Sequence, residues 1–150
     1  MKVLLSIKPQ YAEAILSGRK RYEYRRAIFK RPGVQRVVIY ASTPVRRIVG
    51  EFCVEEIIEA PPMILWARTA EGSGLRKSQF EAYFAGKERG YAIRVHAPVR
   101  YASPIDPRAG NATFIPPQSF CYLPSRPQGL PPYHSTPLRR SATLAPDWWM

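Results

Sequence analysis

The residues whose types and spacing invite chemistry lie close together in Gly18-x-Lys20-x-x-Glu23-x-Arg25, with Arg19, Arg21 and Arg26 interleaved. A lone carboxylate among cations suits two roles. It orients Lys20 or Arg25 by hydrogen bonding, or it serves as a general base where a cleft desolvates it. Neighbouring positive charge is expected to keep it ionised and so to favour orientation. The cations suit phosphate: arginine's planar fork grips two oxygens at once, and lysine supplies a point charge or, when desolvated, a depressed pKa. In RNA cleavage a 2′-hydroxyl attacks phosphorus in line, so positioned cations that neutralise the developing charge matter more than any single base.

The wider composition agrees with a polyanionic partner. The 150 residues carry 23 Lys and Arg against 11 Asp and Glu, a net charge of +12. Residues 19–36 alone hold eight cations against Glu23, or +7 of that total, so the charge forms a patch and points to nucleic acid. A solvated basic face with no partner is the plain alternative. There is no glycine-rich phosphate loop, HExxH or CxxC, and the two histidines, His96 and His134, have no ligand cluster around them in sequence, so no metal and no cofactor is expected. Cys53 and Cys121 have no metal-like spacing, and the apolar run Val3-Leu4-Leu5 is too short for a signal peptide. No stretch approaches the ~20 apolar residues that cross a bilayer. A reduced, cytoplasmic setting without membrane contact is expected, with the oligomeric state open.

These side chains need a scaffold. Residues 3–7 read as a strand, Pro9 as the first turn of a helix carrying Tyr11, Ala14 and Ile15, and Gly18 as its stop. An extended segment from Arg21 to Arg26 then puts Tyr22 and Tyr24 on one face and Glu23 and Arg25 on the other. Lys20 converges with Glu23 and Arg25 only if it is still in the turn; in the strand it points away. The β-branched run Val37–Ala41 reads as a central strand covered on both sides, and Val45–Ile58 as a second with a bend at Gly50. Two short helices follow, one from Pro61 and one opened by the capping signature Ser78-x-x-Glu81 and stopped at Gly86. Residues 91–97 alternate as a half-buried strand. Six of the sixteen prolines fall in 123–150, a tail expected to be disordered except where Trp148-Trp149 docks or stacks.

With the motif and these elements in place, four segments resemble the ASCH domain family, a branch of the PUA-like β-barrels: "VLLSIKPQYAEAILSGRKRYEYRR", "VVIYASTPVRRIVGEF", "GYAIRV" and "PPQSFCYL". The resemblance covers residues 1 to about 123 and implies an α+β fold, a PUA-like curved β-barrel with two to three short helices packed on it. Residues 124–150 would form a proline-rich tail outside the domain. The family is proposed to bind RNA; some members are ribonucleases and others amidohydrolases that deacetylate a modified cytidine.

Carried over by resemblance, Lys20, Glu23 and Arg25 line the family's cleft. In the amidohydrolase branch a nucleophilic threonine occupies the position of Glu23, so this chain departs from that pattern at its reacting atom. Ribonuclease-like members use a tyrosine, a basic residue six positions later and a serine near the C-terminal end; Tyr40, Arg46 and Ser119 are similar, with arginine in place of lysine. The candidate catalytic set is therefore Lys20, Glu23, Tyr40, Arg46 and Ser119, and the candidate nucleic-acid surface is Lys8, Arg19, Arg21, Arg25, Arg26 and Lys30. Tyr40 also reads as core and Ser119 as a turn cap. The expected function is metal-independent hydrolysis of single-stranded RNA. A non-catalytic RNA-binding regulator and a nucleoside amidohydrolase are the alternatives.

Overall fold

In the computed structural model the described residues are 1–123. His134, Trp148-Trp149 and the proline-rich tail lie outside them. The chain runs β1 (Lys2–Ile7), α1 (Pro9–Leu16), β2 (Tyr22–Arg25), β3 (Arg36–Ala41), β4 (Arg47–Ala60), α2 (Pro62–Thr69), a 3₁₀ turn (Ala70–Gly72), α3 (Lys77–Phe84), β5 (Gly90–Ile105), α4 (Pro107–Gly110) and β6 (Phe120–Leu123). One six-stranded sheet has the order β2-β5-β4-β3-β1-β6. β1 and β3 are parallel; the other neighbours are antiparallel.

Hydrophobic alternation explains the interior. In β3, Val37, Ile39 and Ala41 face one way, into a cluster with Val3, Leu5, Ile7, Ala12 and Ile15 of β1 and α1. Val38 and Tyr40 face the other, with Leu4, Ile48 and Leu123. β3 is covered on both sides, as its unbroken apolar run anticipates. A third cluster packs Tyr22 and Tyr24 of β2 against Leu65, Phe80 and Phe84 of α2 and α3.

The sheet bends without closing. β4 and β5 shift register at three places, one of them between Ile48 and Gly50, and each irregularity adds local twist. The expected barrel is instead an open curved sheet in which β2 and β6 are the edges. Among the described residues four helices and a 3₁₀ turn accompany it, more than the two to three expected. β5 continues past Pro98 to Ile105, eight residues beyond the expected strand, because β4 supplies a partner as far as Ile48↔Ile105. α3 begins at Lys77, one residue before the expected cap; Arg76 N–H donates to Gln79 Oε1 at 2.9 Å and closes the turn in place of the Ser78–Glu81 signature.

Candidate functional site

The turn after α1 decides the geometry of the basic motif. Gly18 adopts φ 84°, which reverses the chain, and Lys20 N–H donates to Ala14 O at 2.9 Å, so Lys20 belongs to the helix-terminating turn and not to β2. That satisfies the condition for convergence. Lys20, Glu23 and Arg25 line one cavity of about 670 Å³, walled by Tyr11 of α1 and by Gln79 and Tyr83 of α3.

All four residues of β2 are buried: α2 and α3 pack on the Tyr22 and Tyr24 face, and the face that the alternation alone leaves to solvent is covered by Ser6 of β1, by the loop at Ser119 and by the other residues that line the cavity. The Lys20 ammonium donates to Ser73 O at 2.5 Å and lies 4.8 Å from the Tyr24 ring centre and 5.3 Å from that of Tyr11. Gly74, at φ 65°, passes over the Lys20 stem; a Cβ there would lie 2.9 Å from Lys20 Cβ and Cγ. Burial lowers the Lys20 pKa to about 8, against the opposing pull of Glu23. Burial also pushes the Glu23 carboxyl above its ordinary value, outweighing the attraction of Arg25 and Lys20. The expected depression of Glu23 is thus reversed: the cations are near, but loss of hydration dominates.

Arg25 spends its fork on the protein. Its Nη1 donates to Ser6 O at 3.3 Å and Glu23 Oε1 at 3.4 Å, and its Nη2 to Ser119 O at 2.8 Å and Ser119 Oγ at 3.1 Å. The four terminal N–H groups are therefore committed. Because Ser6 is in β1 and Ser119 immediately precedes β6, this side chain bridges the two ends of the open sheet. Ser6 Oγ adds a bond to Pro117 O at 2.6 Å, which ties the loop before β6 to β1.

A second cavity of about 520 Å³ adjoins the first, and Ser6, Lys8 and Gln118 line both. It holds Tyr40, Arg46 and Arg108. Arg46 has φ 54°, a left-handed conformation that costs a long side chain about 1–2 kcal/mol. Such strain is typical of residues placed for function.

The candidate residues thus divide. Lys20, Glu23 and Arg25 meet in the first cavity, Tyr40 and Arg46 in the second, and Lys8 between them. Ser119 contacts Arg25 and lines neither cavity. Arg19, Arg21, Arg26 and Lys30 are exposed and also line neither. Sequence reasoning missed Arg108, hidden in a proline-rich stretch but aimed by the short helix α4, and Gln118, although the "PPQSFCYL" segment contains it. Tyr83 was legible only as an apolar helix position; its hydroxyl donates to Tyr24 O at 3.0 Å.

Comparison with known proteins bears on this arrangement. The ASCH domain pattern matches residues 5–98. An ASCH domain-containing ribonuclease of Zymomonas mobilis is 34% identical over 124 residues, 81% of this chain and 84% of that protein. The large ribosomal subunit protein uL22 of Ureaplasma parvum is 30% identical over 90 residues, 60% of this chain but 29% of that protein. The crystal structure of ASCH from Zymomonas mobilis superposes with a TM-score of 0.76 at 32% identity, covering 82% of this chain and 87% of that one. A serine-to-alanine mutant of it matches with the same TM-score at 31% identity, covering 82% and 88%. The glycine-bounded turn, the cleft beside α1 and the matched span lead to one statement: this chain belongs to the ASCH domain family.

Proposed function

We propose that this chain is a ribonuclease that lays single-stranded RNA across the two adjoining cavities and cleaves it without a metal ion. The observation that carries the reading is the convergence of Lys8, Tyr40, Arg46 and Arg108 on one cavity. Likeness to a protein described as an ASCH domain-containing ribonuclease supports the reaction class.

In this reading the scissile phosphate sits in the second cavity, where Lys8, Arg46 and Arg108 neutralise its non-bridging oxygens as charge builds. The 2′-oxygen–phosphorus bond forms while the bond from phosphorus to the 5′-oxygen breaks. The 2′ proton leaves to water; the Tyr40 hydroxyl protonates the departing 5′-oxygen and is reprotonated from solvent. The products are a 2′,3′-cyclic phosphate and a free 5′-hydroxyl. Lys20 and Glu23 hold the neighbouring nucleotide, and Ser119 acts through Arg25 as a positioning residue.

The test is degradation of an unstructured RNA by purified protein in EDTA. Tyr40→Phe and Arg46→Ala should each lower the rate about 100-fold, the scale for losing a proton donor or a charge-stabilising group. Equal rates in all three proteins would overturn the catalytic assignment. Each phosphate that the chain neutralises would add about −0.7 to the slope of log affinity against log salt. Salt-dependent binding without cleavage would leave the regulator as the reading.

A further inference from the structure

The first cavity has a chemistry the cleavage reaction does not use. Lys20 and Glu23 both line it, yet their charged ends are not within ion-pair distance of each other: the Glu23 carboxylate's one ion pair among the described residues is with Arg25, at 3.4 Å. A buried ammonium and a buried carboxylate held apart along one wall leave room for a ligand that bridges them. With no such ligand, each keeps hydrogen-bonding capacity that burial makes costly to leave unused.

Three side chains set the hydrogen-bonding character of the wall. Lys20 gives one N–H to Ser73 O and keeps others to offer. The Glu23 carboxylate, close enough to pull on the Lys20 charge, offers acceptors. Arg25, whose terminal N–H groups are all given to Ser6, Glu23 and Ser119, adds no donor. This leaves a ligand one donor group and a two-oxygen acceptor. Their complement is a planar edge with an acceptor followed by two N–H donors. Among the four RNA bases only guanine presents that edge, through O6, N1–H and the N2 amino group. Uracil would set its O2 against the carboxylate, cytosine would bring an amino group to the ammonium, and adenine lacks the second donor. The tyrosine rings of Tyr11 and Tyr83 supply the apolar walls on which bases stack, and about 670 Å³ is within the usual range for a nucleoside-sized ligand.

We propose that the first cavity is a guanine-reading pocket, in which Lys20 donates to O6 and the Glu23 carboxylate accepts from N1–H and the N2 amino group. The inference rests on the ribonuclease reading for its RNA context and adds a base preference to it. The phosphate next to the bound guanosine crosses the saddle of Ser6, Lys8 and Gln118 into the second cavity, so cleavage falls beside guanosine.

Nucleosides test the pocket apart from the reaction, because they carry no phosphate to cut. Binding of guanosine, inosine, uridine, cytidine and adenosine to the full chain is measured by calorimetry, or by saturation-transfer NMR for the weaker ligands. Guanosine should bind at least about tenfold tighter than uridine, cytidine or adenosine, since a bidentate pair contributes ~1–3 kcal/mol of discrimination. Inosine, which lacks the N2 amino group, should fall between. Glu23→Gln, near in shape, should remove most of guanosine's advantage. Equal affinities, no binding by any of the five, a preference for uridine, or an unchanged ranking in a folded Glu23→Gln protein each overturns the proposal. Should that variant not fold, the guanosine–inosine–uridine ranking of the unsubstituted protein decides alone. Guanosine preference without RNA cleavage would sink the nuclease and keep the pocket; cleavage without it would do the reverse.

Discussion

Replacing Lys20 with methionine should change how stability depends on pH. Lys20 is only 2% exposed, and its pKa falls from 10.5 to about 8 in the folded protein. Between those values the unfolded chain holds the proton and the native protein has released it. Raising pH through that window therefore favours the native state, and the effect is absent below about pH 8, where both are protonated. A drop of about 2.5 in pKa, at ~1.36 kcal/mol for each unit, amounts to roughly 3 kcal/mol. Methionine has the length of the lysine stem without the charge, so Lys20→Met lacks this pH response. It also leaves Ser73 O without its donor, at a cost of about 1–3 kcal/mol that is independent of pH. Urea titrations of both proteins from pH 7 to 10.5 give the difference in unfolding free energy. The unsubstituted protein should gain about 3 kcal/mol on the variant across pH 8 to 10.5, with other titrating groups cancelling. A difference that stays constant over that range would refute the claim that burial suppresses the Lys20 charge.

Glu23→Gln should stabilise the domain at neutral pH in denaturant melts, because the folded-state pKa is raised by burial. The advantage should grow as pH rises from about 4.5 and vanish below it. Arg25→Ala should destabilise by about 3–5 kcal/mol, since it strands a buried carboxylate and removes the bonds to Ser6 and Ser119; a Tm unchanged within a degree would contradict the bridging role. Gly74→Ala should lose about 1–2 kcal/mol from the left-handed backbone alone, and the new methyl should displace Lys20, read as weaker nucleoside binding with the fold retained in circular dichroism.

Much of the scaffold was legible because its signals are local. Pro9, Gly18 and the β-branched run at 37–41 mark their own elements, and period two put Glu23 and Arg25 on one face of β2. What covers that face was not legible. Ser119, which takes the Arg25 fork, lies 94 residues further on, and nothing local tells a strand that so distant a segment will cover it. For the same reason the Glu23 shift went the opposite way: charge is visible in sequence, desolvation is not. Closure failed as an expectation because bend signals such as Gly50 report curvature, whereas meeting of the edges depends on the length and path of β2 and β6. Arg108 was invisible among prolines, since aiming it requires Asp106 to cap α4.

The link from Arg25 to Ser6 and Ser119 makes the gap between β2 and the opposite edge a seam, fastened again just beyond β2 where the Lys30 and Arg31 N–H groups donate to the Tyr122 hydroxyl. A residue that sets how wide the seam stands cannot drift independently of whatever the neighbouring hollow has to hold. A lysine there, with one ammonium in place of a fork, could not hold Ser6, Glu23 and Ser119 at once and would loosen the seam.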